Sequence, residues 1–433
     1  MSTAILDPTA TTATPAAAPP GASHIAGLRC RACGKPEQIG PNFVCTACFG
    51  PLEVFYDYDV ARARLTPETI AARPPGIWRY LELLPVGAAP ARGLAVGSTA
   101  LVEADRLGHA IGIDTLKLKD DTRNPTLSFK DRVVAVAVAR AVQFGFDTIA
   151  CASTGNLAGA TAAAAAAAGL RAFVFVPSDL EPAKIDHALS FGATVVRVDG
   201  TYDDINRLGL EIADEERWGF VNVNLRPFYA EGSKTLAFEI AEQLGWRLPD
   251  VLVGPIASGS LFTKVAKGFD ELATIGLVER KEVRFVGGQP AGCSPVATAF
   301  AGGGEIVPVR EPDTIVRSLA IGSPADGGYA IDLARRTGGS IEAVEDVDTA
   351  ATIRRLAATE GIFVETAGGV TVAAAAQARA TGIIRDGDEV VALLTGNGLK
   401  TPDAKRFGID PSEIDPAPPI AATYSEFSGR YGS

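Results

Sequence analysis

The stretch "NPTLSFKDR", Asn124 to Arg132, sets Lys130 between Phe129 and Asp131, at the start of a long apolar run with helical spacing. A helix start favours anions over cations. That placement disfavours a protonated ammonium, and Phe129 adds apolar surface on one side. A lysine held neutral attacks an aldehyde and forms a Schiff base. The plain alternative is a solvated lysine beside Asp131, and the residues alone leave the two readings level.

Two further stretches could bind an anion. In "ASTGNLAGA", Ser153, Thr154 and Gly155 can point hydroxyls and N–H groups at a carboxylate, and the Asn156 amide can hold a ring oxygen. The alternative is a helix N-cap, which Ser and Thr often provide. In "GPIASGSLFTKVAKG", Gly254, Ser258, Gly259 and Ser260 precede a helix expected to begin near Leu261. Small residues let the backbone approach an anion, and a helix N-terminus offers free N–H groups. The stretch is neither GxGxxG nor a Walker loop, so a single phosphate fits better than a dinucleotide or ATP. Most strand–glycine–helix turns bind nothing, and this one signal does not decide the matter.

Four of the six cysteines form two CxxC pairs, Cys30/Cys33 and Cys45/Cys48, eleven residues apart. Each pair can present two thiolates from a tight knuckle to one tetrahedral ion, and the linker suits a short hairpin. The spacing predicts a zinc ribbon; the alternative is the same β-unit without metal. Cys151 and Cys293 are isolated and read as small buried hydrophobes.

These residues need a frame. From about Ser98 the chain alternates short apolar strands, among them "TLKLKDD", "TIACAS", "RAFVFVP", "DVLVGP" and "DEVVALL", with helical stretches such as "FKDRVVAVAVARAVQFG". This alternation predicts parallel sheets with helices on both faces. Ligands in such sheets bind beyond the C-terminal ends of strands. "STGN" (153–156), "GPIASGS" (254–260) and "TGNG" (395–398) all follow strands. The 433 residues suffice for two or three domains. A net charge of −11 argues against nucleic-acid binding. No apolar run approaches the roughly 20 residues that span a bilayer. The N-terminal Ala/Thr/Pro stretch lacks the pattern of a secretory signal and predicts a disordered tail; a cytoplasmic protein is expected.

Taken in order, "NPTLSFKDR", "ASTGN", "AEGSKTLAFEIAEQLG", "GPIASGS", "EGIFVETAGGVTVAA" and "LLTGNGLK" closely resemble the threonine synthases, within the tryptophan-synthase-β-like family of pyridoxal-phosphate enzymes. The resemblance runs from about Leu28 to Pro402 and includes the cysteine ribbon. It implies an α/β fold of two open, mostly parallel-sheet lobes with the cofactor between them, plus a small N-terminal four-cysteine ribbon. The expected division is a tail over 1–24, the ribbon over 25–58, the catalytic core over 59–410 and a C-terminal tail over 411–433.

By this resemblance Lys130 carries pyridoxal 5'-phosphate, and Asn156 meets the cofactor's ring oxygen. Gly254, Ser258, Gly259, Ser260 and Leu261 cradle its phosphate, and Thr395 faces the pyridine nitrogen. Ser153, Thr154 and Gly155 take the substrate α-carboxylate. The implied reaction turns O-phospho-L-homoserine and water into L-threonine and phosphate, with freed Lys130 as the base at the α-carbon. A phosphorylated substrate needs cations. "NVNLRPFYAEGSKT" offers Arg226 and Lys234, with Asn224 nearby, and a bidentate arginine is the better clamp. For Arg226 the alternative is a surface ion pair. A homodimer is implied, with no nucleic-acid or membrane partner.

Leu127 stands where many relatives have Gly, Asn397 where they have His, and Leu157 where some have a hydroxyl residue. Leu127 and Asn397 remove no group from the cofactor set, but Leu127 puts substrate identity in question. The nearest rivals are threonine dehydratase and cysteate synthase; a non-catalytic protein on a retained fold is disfavoured by the presence of Lys130, Asn156 and Thr395.

Overall fold

A computed structural model describes residues 23–153, 155–178, 180, 182–200, 202–410 and 419–431. Nearly all of the tail expected over 1–24 lies outside the described residues. So do Thr154 and residues 411–418 of the expected C-terminal tail.

Three sheets organise the chain. β1 (Ile25–Cys30), β2 (Pro36–Glu37) and β3 (Leu52–Tyr56) form an antiparallel ribbon in the order β2-β1-β3. β4 (Leu101–Glu103), β5 (Thr115–Asp120), β10 (Val251–Pro255), β11 (Arg284–Pro290), β12 (Ser340–Val344) and β13 (Glu389–Leu394) form a six-stranded sheet ordered β12-β11-β10-β13-β5-β4. Its strands are parallel except the edge strand β4. β6 (Thr148–Ala152), β7 (Arg171–Pro177), β8 (Thr194–Val198) and β9 (Gly219–Phe220) form a parallel sheet ordered β8-β7-β6-β9. The expected mostly parallel α/β lobes and the N-terminal cysteine ribbon are therefore present.

The strand sequences explain this arrangement. Every residue of β6 and of β10 is buried, as continuous apolar runs must be when helices cover both faces of a parallel sheet. The chain leaves the larger sheet after β5, builds the smaller one, and returns at β10. It then steps outward through β11 to β12 and comes back to insert β13 between β10 and β5. That reversal opens a crevice beyond the C-terminal ends of β10 and β13.

The ribbon is built into the core rather than tethered to it. Val54 and Tyr56 of β3 share one apolar cluster with Phe228, Phe238 and Phe262. A buried charge network completes the joint. Tyr56 Oη donates to Glu231 (2.8 Å), which also accepts from Lys264 (2.7 Å) and Lys267 (3.0 Å) and forms an ion pair with Lys234 (2.6 Å). Burial alone would raise the Glu231 carboxyl, but the three lysines outweigh it and hold it well below the ordinary range. Lys264 also pairs with Glu53 of β3, and Lys267 donates to the Val54 carbonyl (2.8 Å).

Candidate active site

Lys130 opens the Lys130–Phe144 helix, just beyond the loop that follows β5. Backbone bonds fasten this loop to the stretch after β13. Phe129 N–H donates to the Thr395 carbonyl (2.9 Å), and Asn397 N–H donates to the Leu127 carbonyl (3.0 Å). Glu365 N–H then donates to the Gly396 carbonyl (3.0 Å), and Asn156 Nδ2 donates to Glu365 Oε2 (2.8 Å). A continuous chain of contacts thus links the loop of Lys130 to Thr395, Glu365 and Asn156. The asparagine arrives from the other sheet, as the first residue of the Asn156–Ala168 helix after β6.

The Lys130 amine donates to Tyr229 Oη (3.1 Å) and lies 4.8 Å from the centre of the Phe129 ring. Asp131 is not its partner. That carboxylate is 2% exposed and accepts from both the N–H and the hydroxyl of Thr126, each at 2.7 Å. Burial pushes its carboxyl up to about 6, against the pull of those two bonds. Arg132 turns inward as well. Its guanidinium is fully buried and meets Asp121 (2.6 and 2.8 Å) and Glu239 (2.7 and 2.8 Å). Such a forked double pair fixes the plane of the guanidinium, and with it the first turn of the helix that carries Lys130.

The small-residue stretch after β10 forms a turn into the Ser260–Thr274 helix, which starts one residue earlier than expected. Gly254 lies in β10, and Gly259 is the N-cap with φ of 94°. A Cβ at Gly259 would stand 2.7 Å from the Asp326 carbonyl oxygen, so only glycine fits there. No side chain caps this helix, and the N–H groups of a first turn have no partner within their own helix. Asp326 N–H donates to the Ser258 carbonyl (2.8 Å) and holds the turn from outside.

The remaining candidates divide. Ser153 Oγ accepts from the N–H of Gly155 and of Ala158, both at 3.1 Å. The hydroxyl and the Gly155 N–H are engaged ahead of the Asn156 helix, whose N-cap is Gly155 and not a Ser or Thr. Asn224 spends its amide on its own turn, accepting from Phe220 N–H (2.7 Å) and donating to the Trp218 carbonyl (2.9 Å). Lys234 is fully buried between Glu231 and Glu271, so its offer as a substrate cation is corrected: it belongs to the ribbon joint. Arg226 is half-buried and pairs with Asp326 (3.0 Å), whose other oxygen holds Arg31 of the ribbon (2.8 Å).

Three residues at the site were not singled out from sequence: Tyr229, Glu365 and Asp326. Tyr229 had a signal, since it sits three after Arg226 and so shares its helical face. Glu365 had another, as an acid just before a helix within a quoted motif. Asp326 had none.

In the ribbon, the four thiol sulfurs of Cys30, Cys33, Cys45 and Cys48 all lie within 4.8 Å of one another. The Cys30–Cys48 and Cys33–Cys45 separations are 3.5 and 3.7 Å. Four thiolates around one zinc stand roughly 3.8 Å apart. A Cβ at Gly50 would lie 2.9 Å from the Cys30 sulfur, so the knuckle closes only over glycine. The N–H of Cys33 donates to Cys30 and lowers that thiol to about 7, while the neighbouring thiols push Cys48 up to about 12.

Residues 93–396 match the family described as pyridoxal-phosphate dependent enzyme. The threonine synthase of Methanocaldococcus jannaschii is 35% identical over 391 residues, 89% of this chain and 96% of that protein. The threonine synthase of Mycobacterium tuberculosis is 36% identical over 359 residues, 81% and 96% of the two chains. Among solved structures, threonine deaminase isoform 2 of Solanum lycopersicum superposes with a TM-score of 0.62 at 20% identity, covering 91% of this chain and 98% of that one; this likeness speaks for the fold alone. The chain belongs to the pyridoxal-phosphate-dependent enzymes and, within them, to the threonine synthase family.

Proposed function

We propose that this chain converts O-phospho-L-homoserine and water to L-threonine and phosphate, the last step of threonine biosynthesis. What supports the reading is one run of hydrogen bonds that joins the loop of a lysine amine, a hydroxyl residue and an amide at the ends of β5, β13 and β6, with an uncapped helix start at the end of β10 beside β13. These four are what pyridoxal phosphate needs from a protein. Lys130 would hold its reactive carbon and Asn156 its ring oxygen. Thr395, 4% exposed, would face its ring nitrogen. The Gly254–Leu261 turn would take its phosphate, with a helix dipole favouring the charge. Two observations support the fit: the glycine-only approach at Gly259 and the first turn that no side chain caps.

When bound, the cofactor withdraws electrons from the substrate's α-carbon. The chain's own residues do the rest. The loop of Ser153, Thr154 and Gly155 takes the α-carboxylate, which exchanges for the bond between the Gly155 N–H and the Ser153 hydroxyl. Lys130 Nζ takes the proton from Cα and hands it to the substrate phosphate, and, neutral again, takes one from Cβ as hydrogen phosphate departs from Cγ. A proton returns to Cγ, water adds its hydroxyl to Cβ, and Cα regains its hydrogen. Arg226 draws the leaving phosphate, exchanging its bond to Asp326 for a bidentate one to the phosphate oxygens.

The same proposal includes a structural zinc on the four cysteines, a ribbon over 25–58 joined to a core over 59–410, a cytoplasmic location and the homodimer implied by resemblance. Among the described residues no helix is long and apolar enough to cross a membrane. The test is an assay with pure substrates. Phosphate and threonine released together from O-phosphohomoserine support the reading. Ammonia release from threonine without turnover of O-phosphohomoserine would make the chain a dehydratase. Turnover of O-phosphoserine with sulfite in its place would make it a cysteate synthase.

A further inference from the structure

The reaction asks one amine to collect and return several protons at neighbouring carbons. Between transfers that amine has no covalent tether and must stay aimed. Its one described hydrogen bond is to Tyr229, 99 residues further along the chain.

The hydroxyl is held in place by its own helix. Arg226–Glu231 is a short helix pinned on both sides of Tyr229. Phe228 is fully buried in the main core, and Glu231 is fully buried among Tyr56, Lys234 and Lys264. The next residue, Gly232, lies directly on the Lys130 helix. A Cβ there would stand 2.5 Å from the Arg132 carbonyl oxygen and 2.6 Å from Val133 Cα. The two backbones are thus in contact two residues beyond Lys130 and three beyond Tyr229. Side chains locked by packing keep a reacting group within the narrow tolerance that chemistry requires.

We propose that Tyr229 is a positioning residue of this site, holding the Lys130 amine on its path between the substrate carbons. The inference rests on the reading of Lys130 as the cofactor's lysine. Neutral Lys130 donates an N–H to Tyr229 Oη, which leaves the nitrogen lone pair free to face Cα. When Nζ takes the Cα proton and becomes an ammonium, it still donates to the same oxygen. Tyr229 keeps its own phenolic proton throughout, so no proton is gained or lost outside the Lys130–substrate pair. The hydroxyl supplies an acceptor that suits both states of the amine.

The experiment compares wild type, Tyr229→Phe and Lys130→Ala as full-length, cofactor-loaded proteins. Exchange of the Cα hydrogen of L-2-aminobutyrate, which has no leaving group, is followed by NMR in D2O. The rate at which cofactor-free protein captures pyridoxal phosphate is followed by the visible band, and thermal melts check folding. Tyr229→Phe is expected to melt as wild type does, to exchange the Cα hydrogen about tenfold more slowly or worse, and to capture the cofactor more slowly. KM for O-phosphohomoserine should stay within about twofold while kcat falls. Exchange and capture rates equal to wild type in a folded Tyr229→Phe protein overturn the role of Tyr229 while leaving Lys130 untouched. If Lys130→Ala still forms the visible band, the underlying reading of Lys130 fails, and the proposal with it.

Discussion

Leu127 sits in the left-handed region with φ of 62°, where a branched side chain costs about 1–2 kcal/mol. This gives a backbone reason for the glycine that many relatives carry at this position. The Leu127 carbonyl and N–H are both engaged, by Asn397 and Asn124, so the conformation is set by the strap between the two motifs. Leu127→Gly should relieve that strain and give back about 0.5–1 kcal/mol in unfolded-chain freedom. Chemical denaturation should find the variant as stable as wild type or slightly more so; a loss beyond about 2 kcal/mol would contradict this. Asp131 makes a second prediction. Its folded carboxyl is near 6, above the unfolded value near 3.9. The folded state therefore holds the proton longer, and this contribution to stability is full at low pH and lost as pH rises through 6. Asn can keep both bonds to Thr126, since the Thr126 hydroxyl can accept from an amide. Asp131→Asn should gain stability relative to wild type as pH rises from about 4 to about 7, and a flat difference would refute the assignment. At this scale the sequence exposed Lys130 and its possible chemistry. It could not show that Asp131 faces Thr126, or that Tyr229 reaches the amine, because both depend on how helices cross.

The elements explain why Arg31, a ribbon residue between two zinc-ligand candidates, bears on the active site. Arg31 holds one oxygen of Asp326 and Arg226 the other, while the Asp326 backbone holds the turn at Ser258 and Gly259. Loss of Arg31 would leave Asp326 with Arg226 as its remaining ion-pair partner and tighten that pair against the substrate phosphate. Purified protein should contain about one zinc per chain by metal analysis. Arg31→Ala should retain that zinc, raise KM for O-phosphohomoserine severalfold and change kcat little. An unchanged KM would separate ribbon from site. The CxxC spacing made the ribbon legible. Its docking was not, because the joint uses buried lysines and glutamates, and Lys234 within "AEGSKT" reads as a free cation until Glu231 and Glu271 are seen on either side.

For the whole molecule, alternating strands and helices were enough to expect parallel sheets and to look for chemistry after β6, β10 and β13. The division of those strands between two sheets was not legible, nor was the return of the chain to place β13 beside β10 and β5, since apolar strands of similar length carry no local mark of their neighbours. That return brings the Thr395 stretch against the loop before Lys130, where the site is proposed. In the proposed reaction phosphate leaves Cγ with its ester oxygen, and water then enters at Cβ. Turnover of O-phosphohomoserine in H2(18)O, read by mass spectrometry of both products, tests it most directly. Threonine should gain one heavy oxygen and phosphate none; heavy oxygen in the phosphate, with homoserine as the other product, would contradict the account.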